Sequence, residues 1–394
     1  MRLVPGYLAA RDGTPGASGG APGAPDAAPG ASGDAATAPR PGGRGLARQL
    51  ADTVLAPSPA SMRRIALAGV VATAGIIMTG AGVRLSQSGL GCPDWPRCTA
   101  TSVIASGTTG DPLIHRWVEF GNRLVTVAIF VIAIVVWVAA WRYRPDGRRR
   151  RDLFWLATAQ PAGIMAQAVL GGIVVLTDLD PVWVSIHFLC SMALVFAAVA
   201  LYVRSAEGRG PARPLVPREV RLGAFGAVGV LGLMIAAGTV VTGTGPLAGG
   251  RLPDGRPVPR FHLPLGGVTQ FHADIGWLLG GLVIAMVLGL RLTKAPRRAV
   301  RLGWAVLVLI GVQGAMGYAQ YFSGLPAGLV WVHVANAVLI WVVAILLLFA
   351  LRDRGTATEG DQAATAEAGT GDPAGVAEAG ARPAGALSPD VSRR

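Results

Sequence analysis

The stretch from Ile114 to Thr126, I-H-R-W-V-E-F-G-N-R-L-V-T, puts polar side chains at the head of a long apolar run. On a helix His115, Glu119 and Asn122 fall at i, i+4 and i+7 and share one face. An imidazole can ligate a metal or carry a proton. A carboxylate can give or take a proton, and an amide can only hydrogen-bond. The residues that follow are almost wholly apolar, so this face stands at the entrance of a membrane span. An ionisable group there costs at least ~2.5 kcal/mol, which makes a functional role the default for Glu119. The competing reading is a structural carboxylate paired with Arg116 or Arg123.

The chain has five histidines, His115, His187, His262, His272 and His333, all at or near the same ends of apolar segments. His187 and His333 follow Pro181 and Pro326 by nearly equal intervals, His272 follows Gly266, and Asn122 follows His115. At a rise of about 1.5 Å per residue, all four positions lie roughly 10 Å into their helices. Position 122 then faces 187, and 272 faces 333. Two imidazoles from facing helices at one level suit the axial ligation of a haem. A lone membrane histidine is often only a packing residue, but the repetition favours a haem or metal role for His187, His272 and His333. Zinc fits less well, because no carboxylate or thiolate cluster completes a tetrahedral set. Covalent haem attachment is not indicated, since there is no C-x-x-C-H. His262 precedes Leu263-Pro264 and falls in a loop, so His272 is the better ligand.

These side chains need elements to carry them. The 394 residues are 52% hydrophobic and only 14% charged, with a mean hydropathy of +0.50. A soluble domain carries about 25% charge. Eight apolar segments are long enough to span a bilayer, near 62–84, 115–141, 153–177, 182–203, 221–243, 266–291, 299–322 and 327–351. The net charge of +13 could suggest nucleic acid. The arginines, however, sit between spans, at Arg142 to Arg151, Arg204 to Arg221 and Arg291 to Arg301, with Arg63, Arg64, Arg352 and Arg354 at the outer boundaries. With eight spans all of them fall on one side, so they read as topology and not as a nucleic-acid surface. The positive-inside rule makes that side cytoplasmic, with both termini there. The Ala/Gly/Arg bias matches a GC-rich bacterium, which points to the bacterial cell membrane.

The halves repeat. Gln167, Gly171 and His187 are matched by Gln313, Gly317 and His333 at one constant displacement, and Thr79-Gly80-Ala81-Gly82 is echoed by Thr242-Gly243-Thr244-Gly245. Four spans per unit is an even number, so the halves run parallel. The expected fold is an all-α polytopic membrane protein of eight transmembrane helices, arranged as two pseudo-symmetric four-helix bundles. The expected boundaries are a disordered tail at 1–60, an N-terminal bundle at 61–204, a cytoplasmic linker at 205–220, a C-terminal bundle at 221–352 and a disordered tail at 353–394. Gln167 and Gln313 are expected to link helices, Asp274 to orient the second haem site or pair with a polar neighbour, and Cys190 to be a packing residue.

Together these features resemble the haem A synthase family, in particular an actinobacterial-like branch. T-G-A-G-V-R-L-S-Q-S-G-L-G-C-P-D-W-P-R-C (Thr79 to Cys98) is similar to the family's opening motif. E-F-G-N-R (Glu119 to Arg123), G-T-G-P (Gly243 to Pro246) and Q-F-H-A-D (Gln270 to Asp274) follow in order. The resemblance implies oxidation of a methyl group of haem O to a formyl group with water-derived oxygen, giving haem A for terminal oxidase assembly. The enzyme would be an oxidoreductase acting on a CH group. A permanent haem b would lie between His272 and His333, and the substrate haem O on His187. Glu119 matches the family's acid and would take protons from the methyl group or stabilise its developing charge. Asn122 stands where the family has its other substrate-side histidine. Asn is a poor iron ligand, so the substrate iron is either five-coordinate or assisted by His115, against which the depth argument speaks. Arg84 would pair with a haem propionate. Cys92 and Cys98 would form a disulfide in an outer loop. Implied partners are the lipid bilayer, haem O synthase and terminal oxidase assembly factors, with a homo-oligomer left open. The alternatives are a dihaem electron carrier of the quinol oxidoreductase kind, which needs no buried acid, and a haem transporter. The parallel repeat argues against the transporter.

Overall fold

The computed structural model of the chain describes residues 45–105, 113–252 and 254–356. Among these residues the helices are α1 (Leu46–Leu55), α2 (Pro59–Leu85), α3 (Leu113–Arg142), α4 (Arg151–Leu176), α5 (Pro181–Arg204), α6 (Arg218–Thr244), α7 (Leu265–Leu292), α8 (Arg297–Phe322) and α9 (Ala327–Ala350). Two short strands, β1 (Arg213–Pro214) and β2 (Arg352–Asp353), pair antiparallel. Helices α2 to α9 are long and apolar enough to cross a membrane, and each matches an expected span to within about one turn. The chain is a multi-pass membrane protein.

Local chemistry starts these helices. Ser58 caps α2 by accepting from the Ser61 amide at 3.1 Å, and Pro59 takes the first helical position, where a missing N–H costs nothing. Asp180 and Pro181 do the same for α5, with the Val182 amide donating at 2.9 Å. Pro217, Pro264, Pro296 and Pro326 precede α6 to α9. The spans are apolar on every side, and Leu292 and Phe322 are 82% and 80% exposed, as suits a face turned to lipid.

Helix α2 packs on α3 and α5, and α4 packs on both. Helix α7 packs on α6 and α8, and α9 packs on both. The contacts close two rings of four, with α3 diagonal to α5 and α7 diagonal to α9. The rings meet where α5 and α2 touch α9 and α5 touches α6. A shared core runs from this seam, with Val70, Val195, Val199 and Ile345, into the second ring at Leu231 and Leu279. Lipid gives helices no hydrophobic reason to associate, so close approach and polar links must hold them. Gly69 lets α2 meet Val136 of α3, where an added methyl would lie 3.3 Å from the valine. The indoles of Trp331 and Trp341 on α9 donate to the carbonyls of Met78 and Met192, at 3.0 and 2.9 Å, and tie the second ring to the first.

The arginine-rich end carries an ion network. Arg150 is buried; it donates to both Asp152 carboxylate oxygens, at 3.0 and 2.9 Å, and to the carbonyls of Glu207 and Arg204. Arg204 bridges Asp152 at 2.5 Å and Glu207 at 2.6 Å, and Arg352 reaches Glu207 at 3.2 Å.

Two segments expected to be disordered tails carry structure, and the expected linker holds a strand. The tail drawn at 1–60 contains α1, whose Leu55 carbonyl accepts from Arg142 at 3.1 Å; the rest of that tail before residue 45 lies outside the described residues. The linker at 205–220 contains β1. The C-terminal tail drawn from 353 begins inside β2, because Arg213 and Pro214 pair with Asp353 and Arg352. Residues 357–394 lie outside the described residues. Sequence patterning misses such a pairing because each strand is too short to show a period. Arg150→Met would leave Asp152 with less positive charge and orphan two backbone carbonyls, at an expected cost of roughly 3 kcal/mol. The thermal midpoint of the purified protein in detergent should fall by several degrees, and an unchanged midpoint would refute a structural role for the network.

Candidate functional site

Helix α4 faces His187 with two residues one turn apart. Gln167 donates from Nε2 to the His187 carbonyl at 2.9 Å and also to the Ser191 hydroxyl. Gly171 sits under the imidazole, where an added methyl would lie 3.5 Å from His187 Cε1. Helix α8 treats His333 in the same way. Gln313 donates to its carbonyl at 3.1 Å, and a methyl on Gly317 would lie 3.6 Å from its Cε1. Gln313 is fixed in turn by Asn336, whose Nδ2 donates to Gln313 Oε1 at 2.7 Å. So the amide orders the histidine's backbone, and the glycine leaves room for its ring.

His272 on α7 lies against Gly238 of α6, where a methyl would come to 3.2 Å from Cε1, tighter than ordinary packing allows. His272 and His333 are within electrostatic reach of each other. The Nδ1 atoms of His187, His272 and His333 are buried and make no hydrogen bond. Buried imidazoles without partners are costly unless something occupies them. Among the described residues no three His, Cys, Asp or Glu side chains converge on one point. Single or paired imidazoles suit a porphyrin iron, which brings its own four nitrogens, better than a bare ion. The residues therefore fit a haem.

Position 122 differs. The Thr79 hydroxyl donates to Asn122 Oδ1 at 2.7 Å. His115 turns to the loop after α2, with its Nδ1 at 2.8 Å from the Ser88 hydroxyl. Glu119 is buried at the foot of the loop that follows α2. Its Oε2 accepts from the Cys92 amide at 2.8 Å, and its Oε1 pairs with Arg123 at 2.7 Å. Arg123 also donates to the carbonyls of Cys92, Asp94 and Arg97, at 2.9, 3.1 and 2.9 Å. Cys92 and Cys98 are joined in a disulfide. The loop they close is clasped from below by the Glu119–Arg123 pair and packed from the side. Trp95 lies on Gly172 of α4, where an added methyl would come within 2.6 Å of the indole.

Arg84 crosses between the rings. Its Nε and Nη2 donate to the carbonyls of Leu247 and Thr242, both at 3.0 Å. His262 is exposed in the loop before α7, and Gln270 donates to Asp274 at 2.7 Å. Cys190 is exposed, which corrects its expected packing role. The clasp by Arg123 escaped sequence reading. Its signal was an i, i+4 acid–base pair, and that spacing alone does not say that the arginine also gathers three loop carbonyls.

A family model described as cytochrome oxidase assembly protein matches residues 63–250, from α2 through α6. A haem A synthase of Shewanella oneidensis is 23% identical over 325 residues, 72% of this chain and 94% of its own length. A haem A synthase of a Bradyrhizobium species is 26% identical over 326 residues, 71% of this chain and 88% of its own. A haem A synthase of Lysinibacillus sphaericus is 30% identical over 129 residues, 32% of this chain and 39% of its own.

Replacing Arg123 by Met should loosen the disulfide loop without removing a cysteine. Reduction of Cys92–Cys98 by a soluble phosphine should then run about tenfold faster, as for ~1.4 kcal/mol of lost local order. Thiol labelling over time reads this directly, and an unchanged rate would deny that the clasp holds the loop.

Proposed function

Because this chain belongs to the family of cytochrome oxidase assembly proteins, we propose that it is a haem A synthase. The observation that carries the reading is the repeated unit in which a glutamine holds the carbonyl of His187 or His333 and a glycine one turn along makes room for the ring. The reaction proposed converts a methyl group of haem O to a formyl group with oxygen from water. The first ring, within 61–204, takes haem O with His187 as its ligand. In the second, within 221–352, His272 and His333 would hold haem b. A haem b there supplies one-electron redox chemistry.

The chain's own residues order the substrate side. His187 would hold the substrate, with its backbone fixed by Gln167 and room for its ring left by Gly171. Glu119 has both carboxylate oxygens anchored, by Arg123 and the Cys92 amide, yet each oxygen keeps a lone pair for a proton from the reacting methyl group. Arg84 uses Nε and Nη2 to join the rings and has Nη1 to offer an anionic propionate. The placement proposed is the bacterial cell membrane, with the arginine-rich end and both termini in the cytoplasm. There the chain would meet haem O synthase and terminal oxidase assembly factors.

Glu119→Gln preserves the shape of the carboxylate but not its basicity. Haem A formed per chain should fall by roughly 100-fold or more, while the C-terminal haem stays bound; pigment extraction and chromatography read both. A dihaem electron carrier would be indifferent to the change, so retained haem A formation would end the assignment. Gly238→Val should push His272 off its position and lower the haem retained on purification. Full haem content in that variant would sever the link between the glycine cradle and haem binding.

A further inference from the structure

The two rings can be compared position by position. The Thr-Gly-x-Gly echo aligns α2 with α6, so Gly75 stands where Gly238 stands. Burial aligns α3 with α7. Ile129, Ala133, Val136 and Ala140 are buried, and so are Leu279, Val283, Met286 and Leu290 at the same spacing. In that register Asn122 occupies the place of His272. The other side of each site is alike in both rings, with Gln167 and Gln313 on the carbonyls of His187 and His333 and Gly171 and Gly317 under their rings.

The rings therefore differ at one coordinating position. In the second, Gly238 is filled by the His272 imidazole. In the first, a methyl on Gly75 would meet nothing within 4 Å. Asn122 is drawn back to α2 instead, by the Thr79 hydroxyl at 2.7 Å. The equivalent hydroxyl, on Thr242, bonds only within its own helix, to the carbonyls of Gly238 and Thr239 at 3.1 and 3.0 Å. His115 cannot substitute. It lies two turns from Asn122, roughly 10 Å along the axis, and its Nδ1 is engaged by Ser88.

We propose that the first ring holds its haem by one protein ligand, His187, and that the iron face beside Asn122 is an open position for a small exogenous ligand. This rests on the reading of the first ring as a haem site. Ligands of the carbon monoxide and cyanide class fit, being small and able to bind iron end-on. Cyanide can also accept a hydrogen bond from Asn122 Nδ2, because the Thr79 hydroxyl occupies Oδ1. The second ring, closed by His272 and His333, does not take such ligands.

The test uses the full-length purified protein carrying its haems, with carbon monoxide added after dithionite reduction and cyanide added to the oxidised form. In the wild type about half of the haem should bind carbon monoxide, and the ferric form should show a high-spin signal that cyanide converts to low spin. Asn122→Ala should keep this reactivity, since no ligand is removed. Asn122→His should abolish it and turn the whole spectrum low-spin. His272→Asn should open the second site and raise carbon monoxide binding towards all of the haem. Two haems per chain that are both low-spin and inert to carbon monoxide in the wild type would overturn the open position while leaving two haem sites in place. One haem per chain, unaffected by His187→Ala, would remove the first-ring haem site itself and the proposal with it. The wild-type spectra need no variant to fold.

Discussion

A glutamine amide donating to the carbonyl of a histidine on the next helix is the contact on which each ring's site depends. Lipid offers helices no hydrophobic incentive to meet, and one interhelical hydrogen bond is worth only about 0.6–2 kcal/mol. Its value lies in position more than strength. Gln167 and Gln313 each fix the axial level of one helix against the next, so α4 cannot slide past α5, nor α8 past α9, without breaking the bond. The glycine one turn along the same face then falls under the imidazole. One helix face supplies both the anchor and the space.

Around this shared frame the rings diverge. The second presents two imidazoles within electrostatic reach of each other across its diagonal. The first presents one imidazole, an amide tethered to Thr79, and a carboxylate locked into a disulfide-closed loop. Glu119 thus has a structural duty as well as the proposed chemical one. Its pairing with Arg123 and the Cys92 amide holds its position, and a group held before reaction needs no reorganisation during it. The bracing that one would cite against a catalytic carboxylate is also what would make it effective.

The rings are not independent. Arg84 reaches from the end of α2 to carbonyls at the end of α6, two indoles of α9 reach back to α2 and α5, and the Arg150–Asp152–Arg204–Glu207–Arg352 network ties the opposite end. The largest apolar core among the described residues runs from the seam into the second ring.

The sequence alone determined the eight spans, and it offered their orientation, a parallel repeat and the candidate histidines as expectations. Span length, arginine spacing and residue type are local properties, and a bilayer makes them decisive. It also marked Asn122 as a departure, because a repeat compares positions without needing contacts. What it left open were partners. Glu119 had two readings on its helix face, and the fold decided that Arg123 and the Cys92 amide hold it. Arg84 read as an interfacial charge and is also a brace between rings. Residues 46–55 and 352–353 read as tails and are a helix and a paired strand. Each of these depends on a group distant along the chain, and hydrogen bonds across such separations leave no period or spacing in a sequence. Only the packed helices bring the donor to the acceptor.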